Sequence, residues 1–345
     1  MRTFEIKPVN ETVKKKAKSY IDNLTKPIGS LGKLEQLAID LAAVTGELQP
    51  KLQKPAILVF AADHGVTKQA VSAFPQEVTI QMVQNMANGG AAINAFARNI
   101  GASFHLVDVG VATEEEISGV MNRKVMLGTN DFSVEKAMTT QQAEQAILVG
   151  YEETMRVIEA GADTVIFGEV GIGNTTASSA LFGAISNLPI AHIAGYGTGI
   201  SDLQLLHKIE VIEQALELHQ PSATDAMDLL EKIGGLEIAA MAGGMIAAAE
   251  RHVPVLLDGL ISTVAGCLAD FLAPGVRQYL FASHRSVEPG HIYALHYLDL
   301  EPIIELEFRL GEGTGAAVAY PLFSAASAMM TDMATFSDAG VSGKN

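Results

Sequence analysis

Along most of the chain, short apolar runs alternate with longer stretches of helical periodicity. Runs at 56–61, 103–109, 163–167, 190–194, 254–258 and 278–282 have the length and residue types of buried strands. Between them, apolar positions recur at helical spacing over about 77–100, 134–160, from Thr175 onward, 201–218, 222–232 and 235–251. Two amphipathic helices, 11–24 and 33–48, precede the first strand and are expected to lie apart from the sheet; the first stops ahead of Pro27. A small-residue run over 313–336 predicts the last helix. Strands that are apolar throughout and joined by helices predict an α/β fold with a largely parallel, helix-covered sheet. In such sheets ligands bind beyond the carboxyl ends of the strands, so the loops there are expected to carry the site.

Composition narrows the function. The chain has 345 residues, 48% of them hydrophobic and only 18% charged, enough for a large ordered core. Its net charge of −16 argues against nucleic acid and anionic membrane as partners, though a local cluster of N–H groups still suits a small anion. The single cysteine, Cys267, sits in an apolar run and reads as core filler, which fits a reducing, cytoplasmic location. The first residues lack the apolar segment of a secretory signal, and no apolar run reaches the ~18 residues of a membrane span.

Glycine-rich segments carry the candidate chemistry. Segment 168–176 (GEVGIGNTT) follows a strand and opens a helix that Asn174 or Thr175 is placed to cap, making a phosphate seat from backbone N–H groups. Segment 195–202 (GYGTGISD) opens another helix, with Ser201 or Asp202 as its cap and Lys208 one to two turns in. Segment 283–291 (SHRSVEPGH) offers Ser286 as a phosphate donor; the spacing of His284 and His291 matches no metal motif. Asp63-His64 is half of a hydrolytic triad, but no nucleophile elbow or reactive cysteine completes it. The segment RLGEGTGAAVA (309–319) is the odd one, because it sets a carboxylate, Glu312, among glycines where a phosphate would be repelled.

Taken in order, KPIGSLGKLE (26–35), AADHGV (61–66), GEVGIGNTT (168–176), LDGLISTVA (257–265), SHRSVEPGH (283–291) and LGEGTGAA (310–317) resemble the nicotinate-nucleotide–dimethylbenzimidazole phosphoribosyltransferase (CobT) family over nearly the whole chain. The resemblance implies a doubly wound parallel sheet over 50–310, a smaller helical domain from 1–49 with 311–340, and a homodimer. It implies transfer of phosphoribose from nicotinate mononucleotide to 5,6-dimethylbenzimidazole, giving α-ribazole 5′-phosphate and nicotinate, without metal or other cofactor. By the same resemblance Glu312 is the general base. Gly171, Gly173 and Gly197, with Lys208 and Ser286, fall at the donor phosphate. Glu169 and the segment bounded by Ser72 and Gln81 fall near the acceptor base. The rival readings are transfer to another base, a non-catalytic nucleotide-binding protein, and a hydrolase using Asp63-His64.

Overall fold

Period-two packing sets the layers. The computed structural model describes residues 3–342. All of strand β1 (Pro55–Ala62) is buried, with Ala56, Leu58, Phe60 and Ala62 in one core and Ile57, Val59 and Ala61 in the other. Around it lie β2 (Ser103–Gly110), β3 (Met121–Asn122), β4 (Thr164–Val170), β5 (Val255–Leu257) and β6 (Leu280–Ala282). The six strands run in the order β3-β2-β1-β4-β5-β6, and every pairing is parallel. This is a doubly wound sheet whose order reverses between β1 and β4.

One face is covered by α5 (Thr140–Glu159), α6 (Asn174–Ser186), α7 (Asp202–His219), α8 (Ala226–Ile233), α9 (Leu236–Glu250), α10 (Leu260–Leu272) and α11 (Pro289–Tyr297). The other face is covered by α1 (Glu11–Asp22), α2 (Lys33–Thr45), α3 (Val78–Ala87), α4 (Ala92–Ile100) and α12 (Thr314–Asp332). Helices from the two ends of the chain thus share a core with Ile57, Val59, Ile166 and Leu256 of the sheet. Among the described residues, no helix is long and apolar enough to cross a membrane.

Several elements differ from the sequence-based expectation. The run 190–194 is a 3₁₀ turn, Ile190–His192, not a strand: it follows Pro189, and the N–H groups of Ile193 and Ala194 both return to the Ile190 carbonyl. The stretch 77–100 is two helices, because the Gly89-Gly90 pair breaks it and Gly89 takes a φ of 77°. Helix α5 starts only at Thr140, where Thr139 and Gln142 close a capping box. Ser201 caps α7 as expected, whereas α6 has Gly173 at its cap and no side-chain cap. Helices α10 and α11 and the short β3 were not anticipated.

Candidate active site

A cleft of about 910 Å³ opens beyond the carboxyl ends of β4, β5 and β6. Its floor is built from the exits of these strands: Glu169 to Gly171 at the end of β4, Asp258-Gly259 after β5, and His284 with Ser286 after β6. Phe74, with Val78, Gln81 and Met82 of α3 and Ala92 and Phe96 of α4, forms an apolar wall, and residues 308–312 close the far side. The spacing i, i+3, i+4 on α3 and i, i+4 on α4 turns one face of each helix to the cleft.

Glu312 sits at the end of a strained loop. Gly311, Glu312 and Gly313 all lie in the left-handed region, with φ of 86°, 63° and 88°. Only glycine adopts that region without cost, so holding Glu312 there takes tertiary support. The support comes from both sides. The Asp258 carboxylate accepts from the backbone N–H of Gly313 (3.1 Å), Gly315 (2.7 Å) and Ala316 (3.2 Å), an anion seated on the N-terminus of α12. Glu169 Oε1 accepts from the Glu312 N–H at 3.4 Å. Close approach needs Gly168, where a methyl group would overlap the Glu312 carbonyl oxygen, and Gly315, where it would overlap the His284 ring.

The carboxylates here are electrostatically expensive. Glu312 is 6% exposed, and its Oε2 is buried without a hydrogen-bond partner among the described residues. Burial pushes its pKa up, opposed by the backbone N–H of Ile93 and reinforced by Asp258. Glu169 is raised well above the ordinary carboxylate range, by burial first and then by the neighbouring Asp258, Glu237 and Glu312, although Asn174 donates to its Oε2. His284 Nε2 lies 3.3 Å from Asp258 Oδ1, its ring tilted against that of Phe308.

A helix N-terminus and a buried lysine adjoin these carboxylates. The uncapped N-terminus of α6 meets the cleft through Asn174 and Thr175. Behind Thr175 the buried Lys208 ammonium donates to its hydroxyl (3.1 Å) and to the Gly195 carbonyl (3.2 Å). Burial lowers the Lys208 pKa to about 8, and Glu288 opposes that fall. Glu288 accepts from the Gly197 N–H at 3.0 Å, and Arg309 donates to the Gly197 carbonyl at 3.0 Å.

Of the residues singled out in the sequence, Glu312, Glu169, Gly171, Gly197, Ser286 and Gln81 line this cleft. Lys208 and Ser72 stand one residue behind the lining, Lys208 through Thr175 and Ser72 through its hydrogen bond to Thr198 (3.1 Å). Gly173 faces away: a Cβ on it would meet His64 Cβ at 3.0 Å. His64 itself is fully buried, 2.7 Å from Glu237 Oε1, an internal pair without access to the cleft. His291 accepts from the Ser286 N–H (2.9 Å) and pairs with Thr263 (3.0 Å), and burial lowers its pKa to about 3. Asp258 and Glu288 were not singled out. The position of Asp258 one residue past a strand end was the signal that could have found it.

Comparison with known proteins agrees with this geometry. A family model described as a phosphoribosyltransferase matches residues 6–341. A nicotinate-nucleotide–dimethylbenzimidazole phosphoribosyltransferase of Chloroflexus aggregans is 50% identical over 340 residues, 98% of this chain and 96% of that protein. One of the same name from Citrifermentans bemidjiense is 46% identical over 338 residues, 98% of this chain and 97% of that protein. The crystal structure of CobT from Thermus thermophilus superposes with a TM-score of 0.93 at 43% identity, covering 96% of this chain and all of that one. The chain is an enzyme, a phosphoribosyltransferase, and belongs to the nicotinate-nucleotide–dimethylbenzimidazole phosphoribosyltransferase family.

Proposed function

We propose that this enzyme transfers phosphoribose from nicotinate mononucleotide to 5,6-dimethylbenzimidazole, forming α-ribazole 5′-phosphate and nicotinate, with Glu312 as general base. The observation that carries the reading is that one cleft brings buried carboxylates together with a helix N-terminus and a buried lysine. Glu169, Asp258 and Glu312 line it, and so does the N-terminus of α6, with Lys208 behind Thr175. The donor calls for both, since it carries a cationic pyridinium ring and an anionic 5′-phosphate.

In the reaction, one ring nitrogen of the acceptor attacks C1′ of the ribose. The bond from C1′ to the pyridinium nitrogen breaks, and its electron pair neutralises the leaving ring, so no general acid is needed. The attacking benzimidazole becomes cationic, and its second ring N–H becomes acidic. Glu312 takes that proton, a contribution of roughly 10²–10⁴-fold in rate. Attack opposite the leaving group inverts C1′ and gives the α-linked product.

The neighbouring residues divide the remaining work. Glu169, pushed well above the ordinary carboxylate range by burial and by Asp258, Glu237 and Glu312, accepts from the Glu312 N–H and so helps to hold the loop of the base. The backbone around Gly171 and Gly197, Lys208 and Ser286 hold the 5′-phosphate, with Gly173 shaping the turn beneath. The apolar wall of α3 and α4, with Gln81 and the loop of Ser72, holds the benzimidazole. Fixing both substrates supplies up to roughly 7–11 kcal/mol in favourable cases.

The test is incubation with nicotinate mononucleotide and a panel of bases, with products identified by mass. Nicotinate release that requires an acceptor, fastest with 5,6-dimethylbenzimidazole, is expected. Release without acceptor would identify a hydrolase, and no release would leave a binding protein.

A further inference from the structure

Glu288 is 8% exposed and belongs to no step of the reaction above. Its Oε1 accepts from the Gly197 N–H at 3.0 Å, while Oε2 is buried with no hydrogen-bond partner among the described residues. Oε2 packs so closely on Gly195 that a methyl group there would overlap it. Lys208 holds the same short loop, donating to the Gly195 carbonyl at 3.2 Å, and its ammonium lies 3.6 Å from where a Cβ of Gly197 would stand. One carboxylate and one ammonium therefore grip a two-glycine turn, Gly195 to Gly197, whose φ of 49° at Gly197 few other residues adopt.

We infer that Glu288 is a positioning residue that clasps the 195–197 turn and Lys208 into one wall before the donor arrives, so that the phosphate seat is preassembled in the unliganded enzyme. The inference rests on the proposed donor-phosphate role of Lys208. A buried ammonium without a counter-charge loses its proton readily, and a buried carboxylate costs free energy unless it is paired or hydrogen-bonded. Each group answers the other's cost, and neither has to be recruited when phosphate binds. The other charged groups at the turn are Arg309, which donates to the Gly197 carbonyl, and Asp202, which accepts from the Tyr196 hydroxyl. His207, next to Lys208 in the chain, is taken up by the Gln69 carbonyl.

The experiment compares wild type, Glu288→Gln and Lys208→Ala by two readouts. The first is the pH titration of the Lys208 Cε resonance, assigned by its loss in Lys208→Ala. The second is the pair of KM values, for nicotinate mononucleotide and for the acceptor base. Gln keeps the size of Glu288 and an acceptor for Gly197 but removes the charge, so folding, checked by circular dichroism, is expected to survive. In Glu288→Gln the Lys208 titration should drop by roughly one pH unit, as for loss of a nearby opposite charge. The alkaline limb of kcat/KM for the donor should fall with it, and KM should rise for the donor alone. An unchanged Lys208 titration, or equal rises in both KM values, would overturn the clasp. A lowered titration, with donor KM unchanged in both Glu288→Gln and Lys208→Ala, would support the clasp and sink the phosphate assignment instead.

Discussion

The Asp258 carboxylate holds the residue that follows Glu312: Gly313 donates to it at 3.1 Å, and Gly315 and Ala316 donate from the same helix start. A residue on β5's exit thereby fixes a side chain more than fifty positions away in the chain. The arrangement joins a helix N-terminus, a left-handed loop and the proposed base into one unit. It also explains why a carboxylate stands among glycines: the glycines serve the backbone path, not an anion.

Glu312→Gln is expected to lower kcat by roughly 10²–10⁴-fold while nicotinate mononucleotide still binds. The amide keeps the side chain's size but cannot take the acceptor's proton. Steady-state kinetics with calorimetric donor titration checks this, and full turnover in the folded variant would exclude Glu312 as the base.

Asp258→Ala should cost about 0.5–2 kcal/mol of stability, the range for loss of a helix cap. Its larger effect should be on kcat, because the loop carrying Glu312 loses its anchor. Thermal unfolding and kinetics on one preparation separate the two effects. A variant that loses stability but keeps its kcat would show that Glu312 needs no help from Asp258.

Gly168→Ala places a methyl group against the Glu312 carbonyl oxygen. Overpacking of this kind typically costs about 1–3 kcal/mol, and here the loop of Glu312 is what must give way. Turnover should fall well beyond the change in donor affinity. A wild-type rate would mean that the loop can move without consequence.

The pH–rate profile should be bell-shaped. As the proposed base Glu312 must be ionised, and burial and Asp258 raise its pKa, so activity should fall with decreasing pH above the ordinary carboxylate range. The proposed phosphate role of Lys208 needs its protonated form, and its pKa is lowered to about 8, so kcat/KM for the donor should fall as pH rises through that value. In Lys208→Ala the alkaline limb should vanish, with KM raised for the donor and not for the acceptor. Initial rates between pH 5 and 9, as a rough span around the reference values, are the measurement.

Local pattern was enough for much of this protein. Apolar runs such as 56–61 and 103–109 marked the strands, Ser201 marked the start of α7, and the order of six motifs, Glu312 and Ser286 among their residues, carried the family. These features depend on residues close in the chain, where periodicity and capping act. What local pattern could not supply depends on contacts between distant segments. The run 190–194 is the exception: it looked like a strand, yet a local cause, Pro189 and its own short-range hydrogen bonds, makes it a turn. Most of all, the hold of Asp258 on α12, the grip of Glu288 and Lys208 on one turn, and the crowding that raises Glu169 and Glu312 arise only when β4, β5 and β6 bring their loops together. Hydrogen bonding and desolvation act over a few ångströms of space, whatever the separation along the chain. The sequence by itself therefore determined which groups were available, and the tertiary structure decided which of them meet and at what proton affinity.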